Sequence, residues 1–133
     1  MSYQPQPDLS SIYETELFNP ETSTKLKLKE ILSSTNKNDY IIIHFFRRFG
    51  WSICKYLAKD LSDMIETIKK ECNIQINLIG IGIEMTDYQS FKDEGYFNGK
   101  IYINEGKSLY KNLNLKKSKG CCDLYGMSCR LFK

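Results

Sequence analysis

The sequence predicts an α/β domain built on a mostly parallel sheet, and three observations carry that expectation. Residues 40–46 are a nearly continuous apolar run, the mark of a strand covered on both faces, and 74–84, alternating and then continuous in apolar character, read as a second buried strand. Between them, Cys54, Leu57, Ala58, Leu61, Met64, Ile65, Ile68 and Cys72 recur at three- and four-residue steps, the stripe of a long amphipathic helix over residues 52–71. Strand–helix–strand alternation then requires right-handed crossovers between parallel strands.

The remaining elements follow in order. Residues 1–11 are polar and proline-bearing and read as a flexible arm. Residues 12–18 suit a short edge strand, closed by the Asn19-Pro20 turn signal. Thr24 is a candidate N-cap for a helix carrying Leu26, Leu28, Ile31 and Leu32, and residues 33–39 are a polar loop. On the other faces of the long helix stand Lys55, Lys59, Asp60, Asp63, Glu66, Lys69 and Lys70. Beyond the second buried strand come a helix near 87–93, a glycine-rich bend, a strand at 100–103 and a helical turn at 107–112. This order is that of a thioredoxin-like sandwich, placed at residues 12–117. Residues 118–133 carry three cysteines and no period, and read as an irregular tail.

Size and charge narrow the function. A chain of 133 residues that is 41% apolar supports one core. A net charge of +3 argues against a dedicated nucleic-acid partner, and the lysines of 111–119 read as a solvated helix end and loop. No apolar run approaches the ~18 residues that span a bilayer. The N-terminus lacks the blocks of a signal peptide, so the cytosol is the expected compartment and the five cysteines are expected to be mostly reduced.

The chemistry concentrates at residues 45–54, FFRRFGWSIC. The first buried strand passes through Arg47, Arg48 and Gly50 into the long helix, whose first turn holds Cys54. Three residues before Cys54, where a C-x-x-C pair has its first sulfur, stands Trp51.

Around this passage the chain resembles the peroxiredoxin-like 2 family of thioredoxin-fold proteins, in its prostamide/prostaglandin F synthase branch. The matching segments are RRFG at 47–50, Cys54, LAKDLS at 57–62, IGIG at 79–82, GYFNG at 95–99, IYINE at 101–105 and LYKNL at 109–113. The resemblance implies reduction of the endoperoxide of prostaglandin H2 or its ethanolamide to the F2α product. It implies electrons from NADPH, relayed by thioredoxin rather than by a cofactor bound on this chain. Gly80-Ile-Gly82 lacks the third glycine of a dinucleotide fingerprint and reads as close packing within a strand. The family continues with a β-hairpin and a last helix, which this sequence is expected to lack. A sheet without them is expected to expose a strand edge open to self-association.

Thiolates attack peroxide oxygens, and helix N-termini and nearby cations favour the thiolate. Two readings of Cys54 stand beside each other. In one it attacks the O–O bond while Arg47 or Arg48 stabilises the leaving alkoxide. In the other it is a core thiol on the stripe of Leu57, Ala58 and Leu61, with Trp51 covering the site. Cys72 is expected in the core. One of Cys121, Cys122 and Cys129 could fold back as a resolving thiol, though passive reduced cysteines are the simpler reading. A zinc site from Cys121, Cys122, Cys129 and His44 fits no standard spacing. His44, among Ile and Phe residues, is expected to be a hydrogen-bonded core histidine. Tyr96, Phe97, Tyr102 and Tyr110 either line an apolar pocket or pack the core.

Overall fold

The structure is a computed structural model that describes residues 8–115 and the backbone of 129–132. Three parallel strands form its centre: β3 (Tyr40–Phe45), β4 (Ile76–Gly82) and β5 (Lys100–Ile103). The expected α3 (Ser52–Cys72) crosses from β3 to β4, and α4 (Tyr88–Glu94) crosses from β4 to β5. Antiparallel strands complete both sides, giving the order β2-β1-β5-β4-β3-β6 with β1 (Glu16–Asn19), β2 (Thr24–Lys27) and β6 (Cys129–Phe132). Two short helices, α1 (Leu9–Tyr13) and α2 (Leu28–Ser33), precede β3, and α5 (Ser108–Asn112) follows β5.

Strand alternation sorts the apolar residues onto two faces. Ile43, Phe45, Ile79, Ile81 and Tyr102 join Ile12, Leu17, Leu28, Ile31 and Leu109 in one cluster, under α1, α2 and α5. On the opposite face, Phe46, Phe49, Ala58, Tyr88, Phe91, Ile101 and Ile103 pack together, and Ile42, Leu61, Ile65 and Ile76 extend that layer along α3. Fully burying each of these large side chains contributes about 1.5–3 kcal/mol. Polar groups inside are paired: the buried Ser62 hydroxyl accepts from the Asn98 amide at 3.1 Å, and buried Asn104 accepts from the Leu109 amide at 2.9 Å.

Several sequence expectations are corrected. Residues 12–18 are not an edge strand. Asp8 caps α1 through the Ser10 amide, Ile12 is buried, and β1 lies inside the sheet between β2 and β5. Thr24 starts β2 rather than a helix, because Asn19 pairs with it across a tight turn that holds Ser23 at φ 54°. Residues 9–11, assigned to the arm, belong to α1. Residues 129–132, assigned to an irregular tail, form β6 in register with β3, His44 opposite Cys129. That pairing covers the outer side of β3 and moves the edge of the described sheet to β6. Cys72 and Met64, placed in the core by periodicity, are exposed. Met64 diverges from the buried line of Cys54, Ala58, Leu61 and Ile65, whereas Cys72 stays on that line but ends the helix just before the left-handed Asn73. Cys121 and Cys122 lie outside the described residues.

Gly80 tests the packing directly. A Cβ added there would overlap Phe46 Cε2 and stand 2.8 Å from Phe97 Cε1, leaving the rings no room. Gly80→Ala is therefore expected to destabilise the fold by about 1–3 kcal/mol, read from the urea midpoint. A loss below about 0.5 kcal/mol would show that the aromatic layer yields freely.

Candidate active site

The turn from β3 to α3 is held at three points. Phe49 is 2% exposed, its ring 5.2 Å from those of Phe46 and Phe91 and 5.8 Å from that of Tyr88. Gly50 lies so close to the Asp87 carboxylate that a Cβ would overlap Oδ2, which explains a residue without a side chain here. The Tyr110 hydroxyl lies 2.7 Å from the Phe46 carbonyl and 2.6 Å from that of Ile81.

This turn delivers Cys54 as the third residue of α3, buried at 9% exposure. Trp51 occupies the N-cap in an extended conformation, and its indole supplies no cap hydrogen bond. The first main-chain bond of the helix runs from the Lys55 amide to the Trp51 carbonyl at 3.0 Å. The amides of the first turn thus present the positive end of the helix beside the sulfur. The Arg47 guanidinium stacks 5.1 Å from the centre of the Trp51 ring, a cation–π contact at the same mouth.

The structure brings Arg47 and Trp51 into contact at the start of the helix that carries Cys54. Arg48 is exposed and takes part in no ion pair among the described residues. Lys55 flanks the site in an ion pair with Glu94 at 3.2 Å and lies 5.5 Å over the Tyr96 ring. The Tyr96 hydroxyl, with Lys55 and Ser90, holds the Glu94 carboxyl below its ordinary range. At the start of α3 Trp51, Ile53 and Tyr56 are exposed at 36%, 40% and 67%, apolar surface on the outer side of the helix that buries Cys54.

Two expectations about other residues resolve differently. His44 is 3% exposed and meets Phe46 edge-on at 4.6 Å, in the core as expected. Tyr96 and Phe97 pack under α3 and α4, whereas Tyr102 and Tyr110 lie on the opposite face, so the four do not line one pocket. No group of metal-ligating side chains occurs among the described residues. The wide cleft of about 370 Å³ lined by Asn36, Asp39, Glu66, Lys69 and Lys100 opens at the N-terminal ends of the parallel strands, away from Cys54.

The sequence reading gives Tyr110 only as one of an aromatic group and misses its hydroxyl's reach to the turn before Cys54. Burial pushes its phenol far above the ordinary range, and the negative charge of a nearby Cys54 thiolate adds to the shift. In the sequence it lies within the matching segment LYKNL at 109–113, and nothing there announces a contact with residues 46 and 81.

Fold and site together define a class: a thioredoxin-like α/β domain that presents a thiol at the start of the helix following a central parallel strand. The profile of the family described as AhpC/TSA antioxidant enzyme matches residues 60–123. The prostamide/prostaglandin F synthase of Aquarana catesbeiana is 43% identical over 81 residues, 61% of this chain and 39% of that protein. The prostamide/prostaglandin F synthase of Danio rerio is 34% identical over 110 residues, 83% of this chain and 51% of that protein. Among solved structures, the bacterioferritin comigratory protein of Xanthomonas campestris superposes with a TM-score of 0.66 at 13% identity, covering 98% of this chain and 75% of its own. The chain thus has a thioredoxin-like fold and is similar in sequence to the AhpC/TSA antioxidant enzymes and to the prostamide/prostaglandin F synthases. It spans about two fifths to half the length of these two synthases.

The Arg47–Trp51 stack yields a direct test, because Trp51 is the chain's only tryptophan. Removing a contact of about 0.5–1 kcal/mol should raise the population of a loosened indole roughly two- to fivefold. Arg47→Ala is therefore expected to shift Trp51 emission to the red and increase its quenching by acrylamide. Unchanged emission and quenching would mean the guanidinium does not hold the ring.

Proposed function

We propose that the chain is a thiol-dependent oxidoreductase in which Cys54 reduces a peroxide bond. The observation that carries the reading is the placement of Cys54 in the first turn of α3, whose N-cap residue Trp51 stacks on the Arg47 cation, in a chain similar to peroxiredoxin-like proteins. The thiolate attacks one oxygen of the O–O bond, forming an S–O bond as the O–O bond breaks. The other oxygen leaves as an alkoxide, stabilised by Arg47 or Arg48, and takes a proton from solvent. A thiol from a thioredoxin-type reductant then attacks the Cys54 sulfur, displaces the second oxygen as an alcohol and leaves a mixed disulfide. A second thiol of that reductant resolves the mixed disulfide and restores Cys54.

The substrate proposed is the endoperoxide of prostaglandin H2 or prostamide H2, yielding the F2α product, as the relatives' name indicates. The exposed Trp51, Ile53 and Tyr56 offer apolar surface for such a lipid. Electrons originate from NADPH without a nucleotide held on this chain, and the proposed setting is the cytosol, whose reductants keep thiols reduced.

A second reading, a catalytically silent relative acting as a binding module, is favoured by two observations. Trp51 stands where a first sulfur would be, and the Cys54 sulfur is largely covered. Thioredoxin-coupled NADPH consumption with prostaglandin H2 and with hydrogen peroxide separates the two readings. Turnover in wild type that falls at least about a hundredfold in Cys54→Ser is expected of the enzyme. No turnover in wild type, with a gain in Trp51→Cys, would establish the silent relative. Equal turnover in wild type and Cys54→Ser would move the chemistry to another sulfur.

A further inference from the structure

We propose that Tyr110 is a positioning residue for the Cys54 site, its hydroxyl tethering the Phe46 carbonyl and thereby the start of the β3–α3 turn to α5. The inference rests on the reading of Cys54 as the reactive thiol for its bearing on catalysis, but the tether itself is read from hydrogen-bond geometry.

The phenol has one proton and two carbonyl oxygens within reach, at 2.7 Å and 2.6 Å. The Ile81 carbonyl already accepts the Phe46 amide at 2.7 Å. The Phe46 carbonyl lies just past the last β3–β4 pair, Phe45 opposite Ile81, and no main-chain amide among the described residues donates to it. A buried carbonyl without a donor costs about 1–3 kcal/mol. Tyr110 supplies that donor, with the Ile81 oxygen as the weaker second acceptor of a three-centre bond. The pull toward high pH on this phenol, from burial and from the charge of Cys54, keeps the proton in place so that the group remains a donor.

The tether crosses the sheet. Tyr110 sits on the α5 face, its ring edge-on to Phe45 at 5.2 Å, whereas Phe49 anchors the same turn from the α3–α4 face. Phe46 is the first residue of the segment that carries Arg47, Trp51 and Cys54. Releasing its carbonyl frees one end of that segment while leaving the aromatic anchor in place. The expected consequence is local opening at the helix mouth.

Tyr110→Phe tests the tether because it keeps the ring and removes only the donor. Two readouts report locally: native-state alkylation of Cys54 by iodoacetamide, taken as a ratio to the exposed Cys72, and acrylamide quenching of Trp51. Losing one net hydrogen bond corresponds to an increase of about fivefold in local opening, so the Cys54-to-Cys72 ratio is expected to rise by about that factor. Trp51 quenching should increase alongside. Phe45→Leu is the control: it removes the ring partner and lowers the denaturant midpoint, yet should leave both readouts within about twofold because the hydroxyl remains. Unchanged readouts in Tyr110→Phe would overturn the proposal, as would equal changes in both variants, which would reduce the effect to lost packing. Absence of thiol-dependent turnover in wild type would defeat the catalytic reading instead, with alkylation and quenching still deciding the tether.

Discussion

Covering both faces of three parallel strands is the constraint on which the rest of this molecule depends. Parallel strands require long crossovers, and those crossovers place α3 and α4 on one face while α1, α2 and α5 close the other. The chain must leave β3 at its C-terminal end and turn back at once into α3. Aromatic rings fill the space over β4 that Gly80 and Gly82 leave open, and they seat Phe49 in the turn. Cys54 stands where it does because this layer fixes the first turn of α3. The site is a by-product of sheet burial, refined by a few polar contacts.

What was legible in the sequence follows from this physics. The runs at 40–46 and 74–84 and the stripe after Ser52 were readable because hydrophobic burial writes a period into the chain. The elements near the N-terminus were less readable, since β1 and β2 have only four residues each and their character comes from pairing. Thr24 has good capping chemistry, yet the hairpin with Asn19 overrides it. Cys72 kept the helical period but lost the core, because a stripe says which side of a helix faces inward and not how far the sheet reaches beneath it. The position of β6 is a long-range pairing that no local pattern announces.

The site divides along the same line. Cys54 and Arg47 could be picked out because a strand, a glycine bend and a helix start in succession locate a mouth before any coordinates are known. The stacking of Arg47 on Trp51 and the reach of Tyr110 to two carbonyls depend on rotamers and on elements distant in sequence. Trp51 matters in both views. It takes the cap position without capping, so the first-turn amides gain nothing from its side chain, while its ring holds the Arg47 guanidinium. An electropositive helix end thus stands next to an exposed indole that takes no part in capping it.

The pairing of β6 with β3 carries a consequence for biosynthesis. His44 and Cys129 are neighbours across strands although roughly 85 residues of chain separate them, a loop whose closure is slow in folding. On the ribosome, β3 can dock with β4 long before its other side finds a mate. During that interval only the far side of β3 is left as an open edge of the growing sheet, the kind of edge on which chains misassociate.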